Sequence, residues 1–312
     1  MRRRIRPPRS PARSSRPPEP VDFQTLELSV EESGIGTLTL DRPNALNAIS
    51  PLMEREFLEA FDCVDADDRI RALVVTGRGR AFCAGADLSE GDAGFDVIRR
   101  ALERGTETLG TEGIPRDGGG MMALRVFACK KPVIAAINGP AVGAGATVPL
   151  AMDVRLSSER AKFGMVFARR GMCPDAASSW FLPRIVGISR ALDWMISGRI
   201  FDAHEALEAG YLRSIHPPDD LIPAALELAR GLVAGSAPVS AAITRQLLWR
   251  MLGAAHPMVA HQLESRAILS RAEAADAEEG VAAFLQKRPA QFPLTVSRDM
   301  PEGFPWAPEP TF

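Results

Sequence analysis

The sequence predicts a mixed α/β core followed by a helical C-terminal part. Three observations carry this expectation. Short, wholly apolar runs at Ala72–Val75 and Val133–Ile137 suit strands buried on both faces. Segments with helical spacing alternate with such runs, which implies parallel βαβ units. From about Ala176 onward the pattern is mostly helical.

The elements follow in order. Residues 25–30 and 35–40 alternate apolar and polar positions around Glu31-Glu32-Ser33-Gly34, the signature of a hairpin with a four-residue turn. Ser50-Pro51 opens a helix to about Val64, with Ser50 as N-cap and Pro51 in the first position. Residues 72–75 form a strand, followed by a glycine-rich loop. Residues 89–121 are glycine-rich and weakly periodic, a mobile loop with one helix near 95–109. A helix over 121–129 stops at Lys131-Pro132. Strand 133–137, a helix from Gly143 to about Met152 and strand 154–158 complete the core. Helices are expected over 176–186, 189–196, 203–209, 219–233, 238–252, 256–271 and 274–286. No repeat of 20–50 residues is visible. The expected organisation is a tail (1–20), a core (21–210), a helical region (211–292) and a C-terminal extension (293–312).

Composition narrows the class. The chain has 312 residues, 46% apolar and 24% charged. That length supports a core without metal or disulfide staples. The four cysteines form no CxxC pair, which fits a reducing, cytoplasmic setting. The longest apolar stretch, Ala141–Met152, is interrupted by glycines and Pro149, too short to cross a membrane. Of 37 basic and 39 acidic residues, the first twenty positions hold seven arginines and one glutamate. The body therefore keeps 30 basic and 38 acidic residues, net −8. Such a body is a poor partner for nucleic acid. The Arg/Pro-rich tail lacks an apolar segment and reads as a disordered extension or upstream read-through.

Common chemistries are closed. Gly143-Ala144-Gly145 follows a strand, but Val148 stands where a dinucleotide fingerprint needs glycine. No GxxxxGK[ST] or GxSxG occurs, and the four histidines have no metal-ligand spacing. Main-chain chemistry remains. Asn138–Gly145 turns from a strand into a helix, leaving helix-start N–H groups unpaired. Ala81–Leu88 is a second loop of small residues after a strand. Two such loops, converging, form an oxyanion hole; the same small residues equally permit tight packing alone.

Four ordered segments resemble the crotonase family (enoyl-CoA hydratase/isomerase). They are LDRPNALNAI (40–49), GRGRAFCAGADL (77–88), KPVIAAINGPAVGAGATVPLAMDVRLSSERAKFG (131–164) and EGVAAFLQKRPAQF (279–292). The resemblance implies a crotonase (ClpP-like) spiral of ββα units and a helical C-terminal region that makes homotrimers or hexamers. It implies an acyl-CoA thioester substrate, with coenzyme A entering as part of that substrate and no further cofactor. The thioester carbonyl would sit between the N–H groups of Ala86 and Ala144. Gly143 opens the helix beside it. The CoA portion would run along Asn44, Ala45, Leu46, Ala84, Gly85 and Asp87.

The acid–base residues decide the reaction. Hydratases of this family carry two glutamates; the matching positions here hold Thr147 and Phe167. A third acidic position is filled. Residues 169–187 resemble enoyl-CoA and dienoyl-CoA isomerases, whose proton-shuttling aspartate matches Asp175. Asp175 also suits the N-cap of a helix over 176–186. One carboxylate suffices to move a proton between two carbons. Phe167 would dry the site and raise the aspartate pKa. Trp180 and Phe181 are candidates for the acyl pocket or for plain core. The expectation is an enoyl-CoA isomerase; hydration, another crotonase reaction such as thioester hydrolysis, and a silent CoA-ester-binding protein are the alternatives.

Overall fold

The structure is a computed structural model describing residues 22–89, 113–307 and 310–312. The expected N-terminal tail and the helix near 95–109 lie outside the described residues.

Six strands form one sheet: β1 (Leu26–Val30), β2 (Ile35–Leu40), β3 (Ala72–Gly77), β4 (Val133–Ile137), β6 (Val154–Ser158) and β9 (Ser214–His216), in the order β1-β2-β3-β4-β6-β9. The β1–β2 pair is antiparallel, closed by the Glu31–Gly34 turn; every later pair is parallel. The unbroken apolar runs have a direct cause. Leu73, Val75, Val133, Ala135 and Ile137 face the larger core. Ala72, Val74, Ile134 and Ala136 face a second core. Helix α7 (Leu221–Val233) covers that second face with Leu221, Ala225, Ala229 and Val233, one residue per turn. Burying Leu221 or Val233 contributes roughly 1.5–3 kcal/mol each.

On the other face lie α1 (Pro51–Ala66) and α2 (Gly118–Ala128). Ser50 caps α1, accepting from Met53 N at 3.2 Å, with Pro51 in the first turn as expected. Asp117 caps α2, accepting from Gly120 N. Three short strands make a second sheet: β5 (Ala141–Val142), β7 (Lys162–Gly164) and β8 (Ile200–Asp202), ordered β5-β7-β8. The expected helix from Gly143 to Met152 splits. Helix α3 (Ala144–Thr147) gives way to a 3-10 turn over Val148–Ala151, where Pro149 cannot donate a helical hydrogen bond. Then come α4 (Ser178–Val186), α5 (Ile188–Ser197), α6 (Ala203–Glu208), α8 (Pro238–Met251), α9 (Pro257–Ala272), α10 (Ala275–Gln286) and the short α11 (Val296–Asp299).

Asp153 ties α8 to the main sheet. Its carboxylate accepts from Val133 N at 2.7 Å, Arg245 Nε at 2.8 Å and Trp249 Nε1 at 2.5 Å. No described helix is long and apolar enough to cross a membrane.

Candidate active site

The two small-residue loops converge. Phe82 N and Cys83 N both donate to Pro140 O at 3.1 Å, and Val142 N donates to Cys83 O at 3.0 Å. Cys83 and Ala141 form a parallel bridge. Gly85 lies against Val142 and Gly143 of the other loop. Glycine is required for the approach: a Cβ on Gly85, whose φ is +92°, would stand 2.7 Å from Val142 O. Among the described residues, neither the Ala86 N–H nor the Ala144 N–H donates a main-chain hydrogen bond. Their neighbours do: Asp87 N donates to Ile49 O, and Gly143 N to Gly164 O. Ala144 is the first residue of α3, where no helical acceptor precedes it. A small apolar recess lined by Phe57, Phe82, Met122, Ala144, Val148 and Met152 lies beside it.

Asp175 reaches the far end of α3. Its Oδ1 accepts the Thr147 hydroxyl at 2.6 Å, and its Oδ2 faces Gly119 in the first turn of α2. Asp175 does not cap α4 with its side chain, contrary to the N-cap expectation. Instead its main-chain carbonyl accepts from Ser178 N at 2.9 Å and Ser178 Oγ at 2.6 Å. Ala176 and Ala177 intervene in the left-handed region, at φ +56° and +50°. Each such alanine costs roughly 1–2 kcal/mol. The turn is held from outside, because Ala176 N donates to Asp117 Oδ1 at 3.2 Å.

The Asp175 pKa is pushed up to about 6. Loss of hydration is the main cause. The Thr147 hydrogen bond opposes it, while negative charge at Asp117 and Glu54 adds to it. A carboxyl so poised is ionised at neutral pH yet a usable proton donor.

The remaining expected residues are distributed as follows. Ala45, Leu46, Ala84 and Asp87 are half-buried, Gly85 is buried, and Asn44 is exposed. The two segments run side by side: Ala84 N donates to Leu46 O at 3.0 Å and Ile49 N to Gly85 O at 2.8 Å. Asp87 pairs with Arg42 at 2.8 Å. Phe167 packs, half-buried, against the large core. Phe181 is core at 2% exposure, and Trp180 stacks edge-on against it with Arg184 over its ring. Sequence reasoning missed Asp117, Gly119 and Asn47. Asn47 is wholly buried; its amide donates to Arg78 O and Ala81 O, and its Oδ1 accepts from Arg42 N. The Asp-Gly-Gly-Gly run at 117–120 was an available signal of a capped helix start.

Comparison with known proteins identifies the family. The sequence profile described as enoyl-CoA hydratase/isomerase matches residues 30–294. The chain is 38% identical over 274 residues to the enoyl-CoA hydratase ACTT3 of Alternaria alternata, covering 88% of each chain. It is 35% identical over 271 residues to the 1,2-epoxyphenylacetyl-CoA isomerase of Escherichia coli, covering 85% of this chain and 97% of that one. Among solved structures, an enoyl-CoA hydratase of Bacillus anthracis superposes with a TM-score of 0.75 at 26% identity, covering 86% of this chain and 99% of that one. With the profile spanning most of its length and the fold in agreement, the chain belongs to the enoyl-CoA hydratase/isomerase (crotonase) family.

Proposed function

We propose that this protein shifts the double bond of an enoyl-CoA thioester, with Asp175 carrying the proton and the main-chain amides of Ala86 and Ala144 holding the thioester oxygen. In a 3-enoyl-CoA, Asp175 takes a proton from the carbon next to the carbonyl. The electron pair delocalises onto the thioester oxygen as a dienolate, and the proton returns to the carbon two positions further on. The product is the 2-enoyl-CoA, with no net change in composition. Negative charge grows on one oxygen during the reaction. Two preset N–H donors aimed there are worth on the order of 3 kcal/mol each.

The observation that carries this proposal is Asp175 itself: a half-buried carboxyl, ionised at neutral pH, joined by 2.6 Å to the helix that Ala144 begins. The two positions where hydratases of the family hold glutamates carry Thr147 and Phe167, so activation of water by a glutamate pair is not built here. Most of the relatives compared bear hydratase names and one bears an isomerase name. The product therefore decides. Purified protein is given 3-enoyl-CoA and 2-enoyl-CoA esters of several chain lengths, and products are read by mass spectrometry and chromatography. Double-bond migration at unchanged mass, lost in Asp175→Ala, is expected. A product heavier by one water, or release of free CoA, overturns the proposal.

Self-association as a homotrimer or hexamer belongs to the same proposal. The C-terminal helices support it through exposed apolar side chains: Ile268 and Leu269 on α9, and Val281, Phe284 and Leu285 on α10. Sedimentation analysis should give three or six copies; a monomer contradicts it.

A further inference from the structure

We propose that Thr147 is a positioning residue for Asp175, holding one carboxylate oxygen through its hydroxyl so that the second oxygen is left for the substrate. This rests on the isomerase assignment above and deepens it. Thr147 is wholly buried, and its Oγ1 has two acceptors in reach: Asp175 Oδ1 at 2.6 Å and Gly143 O at 3.3 Å. A hydroxyl has one proton to give. The shorter contact, to a charged oxygen, takes it. When Asp175 has collected a proton on its second oxygen, Oδ1 remains an acceptor and still takes the Thr147 hydroxyl. The pair thus keeps a hydrogen bond in both protonation states.

The placement matters as much as the bond. Thr147 closes α3 and Ala144 begins it. Three residues of helix separate them by about 4.5 Å along the axis. The β-branched side chain has little rotamer freedom. The proton carrier is therefore fixed against the same short helix that offers the Ala144 amide, although Asp175 lies 28 residues away in the chain. The titratable groups facing Asp175 are Asp117 before α2, Glu54 on α1 and the buried Cys83 thiol. Each would repel the carboxylate when charged, and the Thr147 hydroxyl opposes that repulsion. A residue in a position where hydratases hold an acid thus acts as a donor to a different acid.

The test uses Thr147→Val, which keeps the shape and removes the hydroxyl, with Thr147→Ser as the conservative rescue. Asp175 is followed directly by its carboxyl 13C signal in aspartate-labelled protein, assigned with Asp175→Asn. In Thr147→Val the midpoint should rise by about one pH unit, and turnover at pH 6 should fall at least fivefold with little change in KM. Thr147→Ser should restore both. If Thr147→Val folds poorly, Thr147→Ala against Thr147→Ser isolates the same hydroxyl. An unmoved Asp175 midpoint, or an unmoved acid limb of the rate profile, overturns the proposal. If Asp175→Ala keeps full activity, the isomerase assignment fails, while the 13C midpoint still reports whether Thr147 holds the carboxylate.

Discussion

Gly119 leaves the space that Asp175 fills: a Cβ at 119 would stand 2.8 Å from Asp175 Oδ2. Asp175 and the first turn of α2 are thus in contact through an absent side chain. Alanine there forces the carboxylate to rotate away, because the backbone of α2 is packed on α1 and cannot give. Gly119→Ala should lower double-bond migration at least tenfold. Its melting temperature should hold or rise, since alanine in a helix is favoured over glycine by up to about 1 kcal/mol. Turnover and a thermal melt on the same sample check this; undiminished turnover would show that the carboxylate does not act from this position.

Asp175 should also leave a mark on stability. Its folded pKa lies near 6, above the ordinary carboxylate value. The folded state therefore binds the proton more tightly than the unfolded chain does. Stability falls as pH rises from about 4 to about 6, and levels off above that. Asp175→Asn removes the penalty. At pH 8 it should stabilise the fold by on the order of 1–2 kcal/mol, allowing for partial solvent contact. The gain should vanish near pH 4. Urea titrations of both proteins at the two pH values measure it.

The Ala144 amide can be deleted with little damage to the helix, because proline is tolerated in a first helical position. Ala144→Pro should cost about 100-fold or more in turnover while the protein remains folded by circular dichroism. Ala86→Pro makes the companion measurement from the other loop. Wild-type rates in either variant would remove that amide from the mechanism.

Asn47 holds the first signature segment to the second. Alanine there leaves the Arg42 N–H and the Arg78 and Ala81 carbonyls without this partner, and places a residue less suited than asparagine at φ +55°. Asn47→Ala should lose roughly 3 kcal/mol of stability by urea titration. The loss should extend to CoA-ester affinity, because the 44–46 and 84–87 segments are hydrogen-bonded side by side.

The clasp at the C-terminal end of α2 makes a separate case. Arg245 has a side chain only 5% exposed and lies 2.8 Å from Asp153. Asp153→Ala leaves that guanidinium charge buried and unpaired by its carboxylate, at a cost of about 3–5 kcal/mol. Replacing both with apolar residues should recover much of it, which a double-mutant cycle resolves.

Much of the fold was legible for a physical reason. Strands β3 and β4 lie between two cores, so their sequences are nearly unbroken in apolar residues. The long C-terminal helices carry enough turns for a period to show. Strands β5, β7, β8 and β9 have two or three residues each, too few to display alternation. The turn after Asp175 was illegible because alanine gives no sign of a left-handed backbone. The same holds for the site. The glycine-rich loops and Asp175 stand out locally. Thr147 in sequence marks only a missing acid, since its bond to Asp175 spans 28 residues. Asp117 joins Gly120 to Ala176, a contact that exists only after folding.

The most direct measurement is a crystal structure with a bound enoyl-CoA ester. The thioester oxygen should lie about 2.7–3.1 Å from both Ala86 N and Ala144 N, with the Asp175 carboxylate about 3–3.5 Å from the carbon it deprotonates. A carbonyl held by neither amide, or an Asp175 turned away from the acyl carbons, would contradict the account.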